Sequence, residues 1–195
     1  MSKTRENSSH IDQNINGNKN QQAGRDINNY YANQQQDVKM QFLIEEYKKE
    51  QVSNPNFNEI IVELDRYLNP VKSENQNIIG LENKLKNGQF DDYIEDAIEF
   101  KDIFCKKVEQ YRLSKAAQQI FLYILTDVVT IFRYKIFPLI CNNTEHEIIM
   151  SKINEEIIDF IQKKLGENIL DIYSDCISGM LYFLTGNCHI KWSKI

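Results

Sequence analysis

The sequence predicts an all-α domain, a single bundle of about six helices with a short extended C-terminal tail, behind a low-complexity N-terminal segment. Three observations predict it. Apolar residues recur at helical spacing, as in Phe90, Ala97, Phe104 and Tyr111, or Ile149, Ile153, Ile157 and Ile161. No strand pattern of useful length follows residue 37. Composition changes abruptly at that point, which divides the 195 residues into 1–36 and 37–195.

Residues 1–36 hold eight Asn and six Gln, and their large hydrophobes are only Ile11, Ile15, Ile27, Tyr30 and Tyr31. Such a segment buries too little apolar area to offset the entropy of ordering it alone, so as an isolated monomer it is expected to be disordered. A weak repeat runs through it. Asn14-Ile15-Asn16-Gly17 returns as Asp26-Ile27-Asn28, with Gly24 just before the copy. Asn/Gln ladders stack when identical strands align, so these residues are candidates for self-assembly through short β strands.

The helices follow in order. The first runs from Val38 to Gln51, with Asp37 as N-cap, and Ser53-Asn54-Pro55 breaks it. A second spans Asn58 to Leu68 and stops at Asn69-Pro70. A short one covers Leu81 to Lys86 and ends at Asn87-Gly88. The fourth runs from Phe90 to Tyr111. Ile94 and Val108 join its apolar face, and Ile98 and Ile103 widen it where Lys101 interrupts the heptad. Asp92, Glu95, Glu99, Lys106 and Glu109 form its solvent face.

The fifth starts at the Ser114 cap and is apolar nearly all round through Phe132, which predicts the most buried position; Pro138 must end or kink it. The sixth begins at Thr144-Glu145-His146-Glu147, read as a capping box, and ends at Gly166. The last runs from Asn168 to Thr185, with Tyr173, Cys176, Ile177, Met180 and Leu184 on one face and Gly186 as its C′ residue. Beyond it, Cys188-His189-Ile190-Lys191-Trp192 alternates. Cys188, Ile190 and Trp192 are expected inside, His189 and Lys191 outside.

Charge and motifs narrow the function. The net charge of −5 argues against phosphate-gripping nucleic-acid binding. Ile120 to Ile140 carries Asp127, Arg133 and Lys135, so it is a buried helix and not a membrane span. Four scattered cysteines without C-x-x-C, and no apolar leader, fit a reducing, cytoplasmic setting. No G-x-x-x-x-G-K-[ST], G-x-G-x-x-G, H-E-x-x-H or G-x-S-x-G occurs. Cys188 and His189 look like a nucleophile–base pair or metal ligands. Adjacent residues of an extended segment point apart, and zinc needs about four ligands, so packing is the preferred reading. No catalytic residue, metal or cofactor is assigned.

The ending G-M-L-Y-F-L-T-G-N-C-H-I-K-W, Gly179 to Trp192, resembles the closing segment of the C-terminal helical domain of bacterial ABC-three-component conflict systems. Ile78 to Leu85 and Phe132 to Ile140 resemble further parts of it, and Gly17 to Asn28 resembles Asn/Gly-rich stretches of related antiviral systems. Gly179, Met180, Tyr182, Phe183, Gly186, Cys188, His189 and Trp192 are then signature positions. The resemblance implies a defence module built around an SMC-like ABC ATPase. There the domain couples a fused effector to the ATPase. Here the tail leads straight into the helices, which favours a non-enzymatic adaptor that oligomerises and recruits a separate effector. Two alternatives stand beside it: an amyloid-like signalling protein acting without an ATPase, and a Cys/His enzyme or metal protein.

Overall fold

Asp37 opens the fold as predicted, because its Oδ1 accepts the Met40 amide at 2.8 Å and caps the first helix. The computed structural model describes residues 37–53, 61–71 and 80–194. The self-assembly candidates in 1–36 lie outside them, as does Asn58, but the second helix begins at Val62 and not at Asn58 as expected, because Ile61 is its extended N-cap. The helices are α1 (Val38–Ser53), α2 (Val62–Leu68), α3 (Leu81–Asn87), α4 (Ile94–Gln110), α5 (Lys115–Ile131), α6 (Phe137–Cys141), α7 (His146–Ile153), α8 (Phe160–Leu165) and α9 (Ser174–Gly186). Two π-helical turns, Phe132–Ile136 and Asn154–Asp159, fuse α5 to α6 and α7 to α8 into continuous rods. No strand occurs among the described residues, so the all-α class holds.

α5 is the central rod. Ile120, Phe121, Ile124, Leu125 and Val128 are buried, but Thr126 and Thr130 are exposed, and the most buried helix is α9, buried without a break from Gly179 to Thr185, not α5 as expected. α9 packs along α4, the most extensive helix pair. Gly179 permits that contact: a Cβ there would stand 2.1 Å from the Phe100 carbonyl oxygen and 2.8 Å from Phe104 Cβ. No side chain fits between these backbones.

Pro138 does not end the fifth helix, because a widened turn accommodates it. Proline has no N–H for the Tyr134 carbonyl, and its ring would strike it in an α-helix. The turn before it widens instead, with the Phe137 amide reaching back to the Phe132 carbonyl. The chain thereby remains helical to Cys141.

Several boundaries differ from expectation. Ile98 does not widen the α4 stripe; it is 47% exposed, while Ile103 is half-buried. The last helix begins at Ser174, not Asn168. The Asn168 side chain both donates to the Ile172 carbonyl and accepts its amide, at 2.9 Å each. That bracket, with Asp171 at φ +51°, stabilises a loop and leaves Tyr173 exposed. The Thr144 capping box is also absent. Thr144 donates its amide to Leu139 to close α6, so Glu145 becomes the N-cap of α7 without a side-chain bond.

Three helices close by one device, the Schellman motif. In α3 the Phe90 amide reaches the Leu85 carbonyl and Gln89 that of Lys86; in α6 the pairs are Thr144–Leu139 and Asn143–Ile140; in α9 they are His189–Leu184 and Cys188–Thr185. The C′ residues are therefore Gln89, Asn143 and Cys188, at φ +65°, +53° and +66°. Gly186 is the last residue of α9 and not its C′ residue as expected.

Two stability outcomes follow from this geometry. Gly179→Ala forces α9 off α4 and lowers unfolding free energy by about 2–3 kcal/mol in urea titration. Cys188→Gly relieves a left-handed side chain and raises it by about 0.5–1 kcal/mol, read in the same experiment.

Candidate functional site

The signature segment divides into a buried plug and a half-buried turn. Trp192 is 1% exposed, and its ring lies 4.7 Å from Phe90, 5.3 Å from Phe132 and 6.3 Å from Tyr182 between centroids. Its Nε1–H donates to Thr185 Oγ1 at 2.9 Å, and Thr185 in turn donates to the Leu181 carbonyl. The Thr185 carbonyl accepts Lys84 Nζ at 2.5 Å, although Lys84 is only 7% exposed. A buried charge needs such a partner. Neither polar residue stands out as a site in the sequence. The signal for Lys84 was its place beside Leu81 and Leu85 on the apolar face of α3.

Met180, Tyr182 and Phe183 are buried with Gly179, and burial pushes the Tyr182 hydroxyl up to about 12. Cys176 behaves alike, its thiol raised to about 12 by desolvation, which makes it inert as a nucleophile. All four cysteines are free thiols. Among the described residues no His, Cys, Asp and Glu side chains gather in a metal-holding group.

His189 is the main correction. It was expected to face solvent, but its ring packs against Tyr67 at 5.1 Å, and its buried Nε2 has no hydrogen-bond partner. The reason is the Schellman closure, which turns the chain at Cys188 and replaces the expected extended alternation. Ile190 and Trp192 remain inside and Lys191 outside; Cys188 is only half-buried, its Sγ 3.9 Å from the Gly186 carbonyl. Asn187 stitches the same turn to α2: its Nδ2 donates to the Tyr67 and Leu68 carbonyls, and its carbonyl accepts the Val71 amide.

A cleft of about 920 Å³ opens over this plug. Phe90 and Trp192 form its floor. Gln89 and Asn143, both left-handed C′ residues, stand on its walls. His146 stacks on Phe90 at 4.2 Å, flanked by Glu145 and Glu147. Gly88 is obligatory here, since a Cβ would meet the Trp192 carbonyl oxygen at 2.4 Å. The lining is polar, with carboxamides, two carboxylates and one imidazole over an aromatic floor. Such a surface suits a polar polypeptide segment better than an apolar small molecule.

A second polar cluster ties α1 down. Lys164, its side chain 8% exposed, pairs with Asp37 at 3.1 Å and with Asp127, and sits 3.7 Å from the Tyr123 ring centroid. Burial disfavours the Lys164 charge, but Asp127, Tyr123 and Asp37 outweigh it and hold its pKa above the ordinary value. At the other end of α1, Glu50 accepts Ser114 Oγ at 2.6 Å and the Lys115 and Ala116 amides at 2.9 and 3.0 Å. A carboxylate from another helix thus completes the Ser114 cap of α5.

Burial lowers the His189 pKa below its ordinary 6.5, aided by Arg66 and Lys84 and opposed by the Asn69 and Tyr67 carbonyls. A depressed histidine pKa means that the unfolded chain takes up the proton first. Stability therefore falls as pH drops through about 6.5 towards the folded-state value. His189→Phe keeps the ring contact and removes the proton site. Urea midpoints at about pH 7.5 and 5.5 should differ less in this variant than in the wild type.

Comparison with known proteins gives one positive finding, a family model matching residues 80–192, from the N-cap of α3 to the buried tryptophan. No curated protein and no solved structure gives a significant match. The match takes in Lys84, Thr185, the cleft and the whole signature segment, and the chain belongs to the family of C-terminal domain 9 of the ABC-three component systems.

Proposed function

We propose that the chain is a non-enzymatic interaction component of a prokaryotic antiphage or anti-plasmid defence system. Its helical domain docks a partner protein of the same system, an SMC-like ABC ATPase or a separate effector. Residues 1–36 oligomerise the chain. The observation that carries the reading is the family match over residues 80–192. A component of a three-part system works through protein contacts.

The cleft over Trp192 supports this reading. It is built wholly from matched residues, apart from Ser193 and Lys194 at its edge. Phe90 and Trp192 beneath it are already buried, so what it offers a partner is its polar rim. Glu145 and Glu147 outnumber the exposed Lys194 on that rim, and the small acidic excess favours a partner segment with basic side chains. Among the described residues no helix is long and apolar enough to cross a membrane.

The test is co-expression with the proteins encoded beside it, followed by affinity purification. Wild-type chain should retain the ATPase. Glu145→Lys combined with Glu147→Lys should reduce recovery about tenfold or more with an unchanged melting temperature, because rim charges act on association. Equal recovery by the variant would remove the cleft from the interface. No recovery by either chain would remove the docking reading itself.

A further inference from the structure

The manner in which α1 is held differs from the rest of the bundle. α1 lies outside the family-matched residues. Its apolar contribution is narrow: Met40, Leu43 and Ile44 are buried and Tyr47 is partly buried, at positions i, i+3, i+4 and i+7. It packs chiefly on α5. Against the end of α8 its fit is incomplete, leaving a cleft of about 250 Å³ beside Met40, Ile44 and Gly166. What completes its attachment is a carboxylate at each end. Asp37 meets Lys164, and Glu50 meets the α5 N-terminus. They stand thirteen positions apart, or about 20 Å along a helix.

This is the layout of a helix lying in a groove, with i, i+3, i+4 and i+7 anchors between two polar end-stops. We propose that α1 is a displaceable strap, and that the groove it fills on α5 and α8 accepts a second amphipathic helix with the same spacing of apolar residues and terminal carboxylates. α5 supplies the floor, since α1 packs chiefly on it and the Tyr123 hydroxyl of α5 donates to Asp37. Lys164 supplies one end; the Ser114 hydroxyl and the Lys115 and Ala116 amides, at the partly positive N-terminus of α5, supply the other. Neither end-stop requires α1 in particular; each requires an acid at the right distance. The Lys48–Glu167 pair, 2.7 Å long, is exposed on both sides and adds little to the hold.

The identity of the incoming helix rests on the docking reading, but the strap and groove are tested with this chain alone. Full-length wild type is compared with Asp37→Asn/Glu50→Gln by amide hydrogen exchange. The probe is a fluorescein-labelled peptide of residues 37–53, followed by anisotropy. In the variant, α1 amides should exchange about tenfold faster while those of α4 and α9 keep their protection, since the strap opens as its own unit. The peptide should bind the variant about tenfold tighter than the wild type, and a peptide carrying the same two substitutions should bind neither. Glu50→Gln alone is the milder arm and should give the same order with smaller amplitude. If α1 and α9 exchange together in both arms, or the wild-type peptide binds no chain, the proposal is overturned. These outcomes do not depend on the ATPase, so a failed co-purification leaves the strap intact.

Discussion

The structure depends on where one indole ring is placed. Trp192 is the only tryptophan, and it lies after the last helix, so it closes a fold already largely assembled. Its ring touches residues from three places in the chain: Phe90 after α3, Phe132 at the first π turn, and Tyr182 within α9. The indole N–H is satisfied by Thr185, whose own carbonyl is held by Lys84. Remove the ring and the polar pair beneath it is left in a cavity, so the penalty is both apolar and polar. The same placement dictates Gly88, whose missing side chain makes room for the Trp192 backbone. The aromatic plug and the cleft above it are two sides of one constraint.

Much of this was legible in the sequence, and the reasons are specific. Ser114 and Asp37 read as caps because their side chains make local bonds to amides three positions on. The failures share a different cause. Thr144 has the right neighbours for a capping box, but its amide is already committed to Leu139 by the closure of the preceding helix. His189 alternates correctly with Ile190, yet the closure at Cys188 rotates it inward. Each error came from treating an element's end as independent of the element before it.

The C′ residues carry the same lesson. Gly88 and Gly186 attracted the assignment because glycine is the usual left-handed residue. Each instead lies before the turn, and Gln89 and Cys188 take the strained angle. At Gly88 the choice is explained by Trp192, which leaves no space for a Cβ, so the glycine serves packing and the glutamine serves the turn. The π turn of the second rod was also encoded. A repeat of four, through Ile149, Ile153, Ile157 and Ile161, overshoots an α turn of about 3.6 residues. All four side chains are nevertheless buried, because the widened turn between Ile153 and Phe160 takes up the excess.

The polar contacts between distant elements were not legible, and they decide how the bundle is held together. Glu50 caps a helix that begins sixty-five residues later. Lys164 joins α8 to both Asp37 and Asp127. A single carboxylate or lysine on a helix surface carries no mark of such a partner in one sequence, since the default reading of a charge is solvent. The division of labour is clear once the contacts are known. The part from Gly80 to Trp192 is fastened by backbone closures, a close helix crossing and an aromatic plug, all of which are costly to open. α1 is fastened by a short apolar stripe and two carboxylates, which exchange readily for an equivalent acid. A chain that combines a rigid core with such a fastening has its easiest motion assigned in advance, at the helix joined directly to residues 1–36.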